Sequence, residues 1–123
     1  MEIPTQSSDL QQQINSWKSN VDNARQEMRK MRGRLEQMAH RKTDTDMLIH
    51  VEHFQNQFIC QMEVADELFH DLKQSAKKLM NNGILAIVHD DRPVDDVGTL
   101  HDRMETFQKL YGELRHEFEQ FAK

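Results

Sequence analysis

The sequence predicts an all-α fold, an antiparallel three-helix coiled-coil bundle. Apolar residues recur at alternating spacings of three and four in three separate stretches, the pattern of an a/d seam between packed helices. Gly (4) and Pro (2) are scarce among 123 residues. Straight-chained Glu, Gln, Lys, Arg and Met, which lose little rotamer freedom in a helix, are plentiful. Two breaks, Arg41–Asp46 and Asn82–Pro93, separate the three stretches.

The first helix is expected over residues 8–40, with Leu10, Ile14, Trp17, Val21, Ala24, Met28, Met31, Leu35 and Met38 on its seam. Ser8 and Gln11 stand three apart as a capping box requires, and Asp9 suits the positive end of the helix dipole. Residues 1–7 are expected to form a flexible N-terminus. At 1.5 Å per residue the helix is a rod of roughly 50 Å.

Basic Arg41 and Lys42 close that helix, and Thr43, Asp44, Thr45 and Asp46 open the next. The second helix is expected over 44–82, with Met47, Val51, Phe54, Phe58, Gln61, Ala65, Leu68, Leu72, Ser75 and Leu79 on its seam. Leu48, Met62, Phe69 and Ala76 each follow a d position and widen the apolar face, as burial against two neighbours demands. Asn82-Gly83 reads as a C-cap, since Gly takes the left-handed conformation without strain.

Residues 83–93 form the expected connection. It contains an apolar plug, Ile84–Val88, too short for a long helix, and a turn-like His89-Asp90-Asp91-Arg92-Pro93. Pro93, Asp95 and Asp96 suit the first turn of a third helix over 94–122, although Gly98 weakens that turn and moves the expected start toward Thr99. Val97, Leu100, Met104, Phe107, Tyr111, Leu114, Phe118 and Phe121 make its seam. Short connections make consecutive helices antiparallel, so residues 1–123 read as a single helical-bundle domain. The seams close either within a monomer or across a homodimer.

From Trp17 to Lys123 the chain resembles a spectrin-type repeat in length, helix order and seam pattern. Trp17 falls where that family commonly has tryptophan, Lys77-Lys78-Leu79 closes the second helix in the family's manner, and Met104, Phe107, Tyr111 and Leu114 match its third helix. Tyr111 stands where tryptophan is usual, and the apolar 84–88 insert departs from the pattern. The resemblance implies a three-helix interaction or scaffold module. Two stretches, Val51–Ile59 and Glu67–Asp71, are also similar to parts of small uncharacterised bacterial helical proteins, which implies a stand-alone cytoplasmic protein.

Composition narrows the function classes. No apolar run approaches the roughly 18 residues of a membrane span. The start, MEIPTQSSDLQQQ, lacks the basic and apolar regions of a secretory signal, and the single Cys60 suits a reducing compartment, so the expected location is cytoplasmic. Net charge is −5 but uneven: residues 25–42 carry seven basic and two acidic side chains, whereas 43–123 carry 8 basic and 16 acidic. Arg25, Arg29, Lys30, Arg32, Arg34, Arg41 and Lys42 are therefore the candidate partner-binding residues, or else pair with the acidic remainder. An acidic overall balance and no aromatic residue in that run argue against a nucleic-acid or anionic-surface adaptor, the third reading.

A metal-binding bundle is the alternative. Glu67…His70 and Glu113…His116 are Glu-x-x-His pairs, with Glu63 one turn before the first, and such pairs on two helices hold di-iron centres in four-helix bundles. The register argues otherwise. With Val51 and Val97 at a positions, Glu63, His70 and His116 fall at f and Glu67 and Glu113 at c, away from the bundle axis. Axes roughly 8–10 Å apart do not let outward ligands share one ion at bonds of about 2 Å. The seven histidines are expected at helix edges, hydrogen-bonding to neighbouring helices or tuning packing with pH. Most methionines fall on the seams and read as core, and Cys60, at a c position with no activating base in view, reads as an exposed inert thiol. No phosphate-cradling glycine loop, Ser-His-Asp set or CxxC motif occurs, so no cofactor and no enzymatic activity are expected.

Overall fold

The computed structural model describes residues 7–41, 44–81 and 97–123. They form three helices, α1 (Ser7–Arg41), α2 (Thr45–Asn81) and α3 (Val97–Phe121), packed as an all-α bundle. Lys42, the Asn82-Gly83 cap, the Ile84–Val88 plug, Pro93 and the acids Asp95 and Asp96 lie outside the described residues. Among the described residues no helix is long and apolar enough to cross a membrane.

Helix boundaries follow local chemistry, with small departures from expectation. The described part of α1 starts at Ser7, one residue before the expected start at Ser8. Asp44 caps α2: its carboxylate accepts the Asp46 N–H at 3.2 Å and its carbonyl accepts the Leu48 N–H at 3.0 Å, satisfying amides the helix cannot. His40 and Arg41 end α1 at the negative pole of its dipole. Gly98 lies within α3, whose described part already starts at Val97.

The 3-4 seams are the core. Ile14, Trp17, Val21, Ala24, Met28, Met31 and Leu35 of α1 are buried, as are Val51, Phe54, Phe58, Ala65, Leu68, Leu72, Ser75 and Ala76 of α2. Leu100, Met104, Phe107, Tyr111, Leu114 and Phe118 complete it from α3. Cross-helix pairs give the register. The same offset of 84 residues separates Trp17 from His101, Glu27 from Tyr111 and Arg34 from Phe118, so α1 and α3 run parallel and in phase. Arg25 meets Asp66 and Phe69 across α1–α2, and Asp71 meets Arg103 while Phe54 meets Phe121 across α2–α3, so both of these pairs are antiparallel.

Residue size sets the spacing. α1 and α2 approach most closely, where small Ala24 and Ala65 sit on their seams, and α3 stands further off because bulky Phe107, Tyr111 and Phe118 line it. At one end Phe54, Phe58, Phe118 and Phe121 form an aromatic cluster with centroid separations of 5.0 to 6.5 Å. Two of its contacts, Phe54–Phe118 and Phe58–Phe118, are edge-on, the favoured arrangement for ring quadrupoles.

Of the residues expected to widen the α2 face, Met62 and Phe69 pack against the core and Ala76 is buried, with Phe69 beneath Arg25 of α1. Leu48 does not: it is 40% exposed, and its neighbour Ile49 is 59% exposed. The α2–α3 register carries both beyond the last turn of α3, where no third helix covers them.

Phe118 touches two rings and is fully buried. Phe118→Ala is expected to destabilise the fold by about 3–5 kcal/mol, against less than about 0.5 kcal/mol for the exposed Ile49→Ser, as measured by urea denaturation followed by circular dichroism.

Candidate partner-binding surface

The basic run of α1 does not form one face. Its residues divide between two flanks of the seam, because adjacent positions on a helix point about 100° apart. Arg25, Arg29 and Arg32 occupy the flank toward α2; Lys30, Arg34 and Arg41 lie on the opposite side, toward α3.

Three of these cations are engaged within the molecule. Arg25 is the most enclosed, its side chain 19% exposed: Nε lies 2.9 Å from Asp66 Oδ1 as a close ion pair out of hydrogen-bond alignment, and Nη1 lies 3.5 Å from Asp22. Its guanidinium also sits 4.7 Å from the centre of the Phe69 ring. Arg25 is therefore a clamp between α1 and α2 rather than a free partner contact. Arg34 lies over the Phe118 ring at 5.3 Å, and Arg41 Nε donates to the Gln37 carbonyl at 3.4 Å. The pairing expected between the basic run and the acidic remainder is thus made by Arg25 with Asp66.

Arg29, Lys30 and Arg32 differ. All three are exposed, and among the described residues none forms a hydrogen bond or ion pair. Arg29 and Arg32 line a cleft of about 330 Å³ between α1 and α2, together with Gly33, Glu36, Gln55, Asn56 and Ile59. Ile59 is 44% exposed, so the cleft joins two guanidinium groups, the Glu36 carboxylate, two side-chain amides and an aliphatic edge.

The opposite flank carries a polar clamp with no motif signature. Tyr111 Oη donates to Glu27 Oε1 at 2.6 Å, and Arg115 Nη1 stands 3.7 Å from the other Glu27 oxygen. Asn20, Asn23, Gln108 and Gly112 surround them in a cleft of about 240 Å³. Burial raises the Tyr111 phenol above its ordinary range, and the Glu27 hydrogen bond and negative charge raise it further, against a smaller lowering by Arg115. Tyrosine at an a position could have signalled this clamp: a ring in the seam with a polar end needs a partner at the edge.

The Glu-x-x-His residues do not converge among the described residues. Glu63, Glu67, Glu113 and His116 are exposed and His70 is half-buried. Ligand atoms gather within 4.8 Å of one another only at His101, Asp102 and Glu105 among the described residues. There the two ring nitrogens face different carboxylates, Nδ1 at 3.6 Å from Asp102 and Nε2 at 3.4 Å from Glu105, so the trio flanks the imidazole rather than sharing one lone pair. Three histidines make ring contacts. His50 lies 5.7 Å from Phe121, His53 lies 5.3 Å from Phe54, and His101 lies 6.0 Å from Trp17. Cys60 is exposed, as its c position requires.

Comparison with protein-family models, curated proteins and solved structures finds no match to the chain.

The Tyr111 clamp has a pH signature. In the unfolded chain Tyr111 ionises near 10, whereas the folded protein retains the proton to higher pH. Its contribution is complete below that value and falls as pH rises above it. Tyr111→Phe is expected to be less stable than wild type by about 1 kcal/mol at neutral pH, with the gap closing above pH 10 in urea titrations. Because Tyr111 is the single tyrosine, phenolate absorbance reports its ionisation directly.

Proposed function

We propose that this protein is a non-enzymatic interaction module, and that Arg29 and Arg32 with the adjoining α1–α2 cleft receive an acidic segment of a protein partner, Lys30 lying on the other flank of α1. The observation that carries this reading is that Arg29 and Arg32 make no hydrogen bond or ion pair among the described residues, whereas Arg25, Arg34 and Arg41 are engaged within the molecule. Guanidinium groups suit carboxylates because their planar donor forks bind both oxygens. Gln55 and Asn56 supply amide donors and acceptors, and Ile59 offers an apolar edge against which a partner side chain packs.

Gly33 supports the same reading. A glycine inside a helix costs about 1 kcal/mol relative to alanine, yet no atom approaches within 4 Å of where a Cβ would stand. Internal packing therefore does not require it. It lines the cleft between Arg32 and Glu36, where the missing side chain leaves room.

In this reading the module is cytoplasmic and similar to a spectrin-type repeat. A long three-helix rod displaying side-chain patterns on its flanks is suited to surface recognition, an argument by architectural analogy. The metal-binding alternative keeps Glu63, Glu67, His70, Glu113 and His116 as its residues, and metal analysis of protein purified without chelator tests it. Stoichiometric metal lost in His70→Ala and His116→Ala would replace the interaction reading.

The experiment for the leading reading is affinity capture from lysate followed by titration of the captured partner. Arg29→Glu/Arg32→Glu is expected to weaken binding by at least tenfold, about 1.4 kcal/mol, and the wild-type affinity to fall with salt. Partner binding unchanged by that double substitution overturns the assignment. Gly33→Ala is expected to raise stability by about 0.5–1 kcal/mol while weakening the same complex, read by thermal melting and titration side by side.

A further inference from the structure

A second surface lies on the far side of the molecule, between α2 and α3. A groove of about 360 Å³ runs there along α3 from Thr99 to Leu110 and along α2 from Gln61 to Leu68. On α3 that is roughly three helical turns. Leu68 and Phe107 are buried in its floor. The antiparallel register that pairs Asp71 with Arg103 brings Val64 level with Leu110, and both are 44% exposed on its walls. These g-position aliphatics face outward beside the seam, where a three-helix bundle leaves them uncovered. A fourth helix would bury them.

The groove also holds an acceptor in need of a donor. Gln61 occupies a d position, and its side-chain oxygen is buried without a hydrogen-bond partner. A buried carbonyl left without a donor is costly, so an occupant that donates a hydrogen bond gains more than apolar burial alone. The backbone N–H groups inside a helix are already bonded, so the donor would be a side chain.

Charge narrows the occupant further. Asp102 lines the groove, and Glu67 and Glu113 are exposed at c positions, on the same side of their helices as the g-position Val64 and Leu110. Of the nearby cations, Arg103 is paired with Asp71 at 2.8 Å, leaving Lys109 on the outer side of α3. The border is acidic. A second copy's α1 has the complementary charge, but none of the exposed large apolar side chains among the described residues belongs to α1. It would bring cations without anchors. The geometry points to a docking site for a basic amphipathic helix of another protein, seated in the α2–α3 groove with its apolar side chains on Val64 and Leu110 and its Lys or Arg side chains toward Gln61 and the acidic border. Aliphatic anchors in a groove flanked by charge are the usual terms of helix-in-groove recognition. The site stands apart from the Arg29–Arg32 cleft and does not rest on it.

The test uses the full chain with a fluorophore on Cys60, the single thiol, which is exposed and one turn before Val64. The probes are a synthetic helix of about four turns, with Leu at 3-4 spacing and Lys elsewhere, and the same helix with Glu replacing Lys. The Lys helix is expected to bind saturably and the Glu helix at least tenfold more weakly. Val64→Ser/Leu110→Ser is expected to weaken the Lys helix roughly tenfold. Ile49→Ser and Arg29→Glu/Arg32→Glu are expected to leave that binding unchanged, which separates this site from the basic cleft. Circular dichroism melts check that each variant folds, and isotope-edited shift mapping of the wild type locates the peptide without substitution. Equal binding of both peptides, binding indifferent to Val64 and Leu110, shifts mapping elsewhere, or a concentration-dependent dimer that Leu110→Ser abolishes would each overturn the proposal.

Discussion

Three seams of apolar side chains can share one interior only if their heptads keep the same phase along the bundle, and every other feature of this molecule depends on that condition. α1 and α3 satisfy it with a single offset of 84 residues, held from Trp17–His101 through Glu27–Tyr111 to Arg34–Phe118. A slip of one residue on either helix would turn its apolar stripe by about 100° and expose most of the core. The interior of large, closely fitted side chains makes that slip costly. The edge contacts act on top of it: Arg25 with Asp66, Arg103 with Asp71 and Tyr111 with Glu27 each tie a different pair of helices. Ion pairs with exposed partners contribute little stability individually, so their effect lies more in specifying register.

The same in-phase packing governs which polar groups remain for other molecules. Positions flanking the seam are partly covered by the neighbouring helix, so a charge there finds an internal partner or an aromatic face, as Arg25 and Arg34 do. Arg29 and Lys30 lie a further step outward, and Arg32, one heptad beyond Arg25 on the same flank, shares its cleft with Gln55, Asn56 and Ile59 of α2 rather than with a carboxylate of that helix. The uncommitted cations of α1 and the acidic border of the α2–α3 groove thus lie on different sides of the molecule. The two proposed surfaces carry opposite sign, and the large aromatic residues of α3 contribute to the second by holding that helix away from α2 and leaving a groove between them.

Helix number, helix ends within a few residues and nearly all of the core were legible in the sequence, because 3-4 periodicity is a local property and burial follows it directly. Leu48 shows where that logic stops: its position in the heptad is right for burial, but no turn of α3 lies opposite it. The site was less legible. Charge density marked Arg25 through Lys42 as a unit, yet whether a given arginine meets a carboxylate, a ring or solvent depends on what the next helix presents at that level. The outward register of Glu63, Glu67 and Glu113 could be read in advance, while the half-burial of His70 could not.

The sequence alone thus determined an all-α chain with three amphipathic helices, their seams and the segregation of charge, since each follows from side-chain spacing along one helix. Only the tertiary structure decided that Arg25 is a clamp while Arg29 and Arg32 line an open cleft, that Tyr111 reaches Glu27, and that Val64 and Leu110 face one another across a groove. Those outcomes join residues from different helices. The physical reason is that register and spacing between helices are set by how their interior side chains fit, and spacing along any single helix carries no information about its neighbour's level.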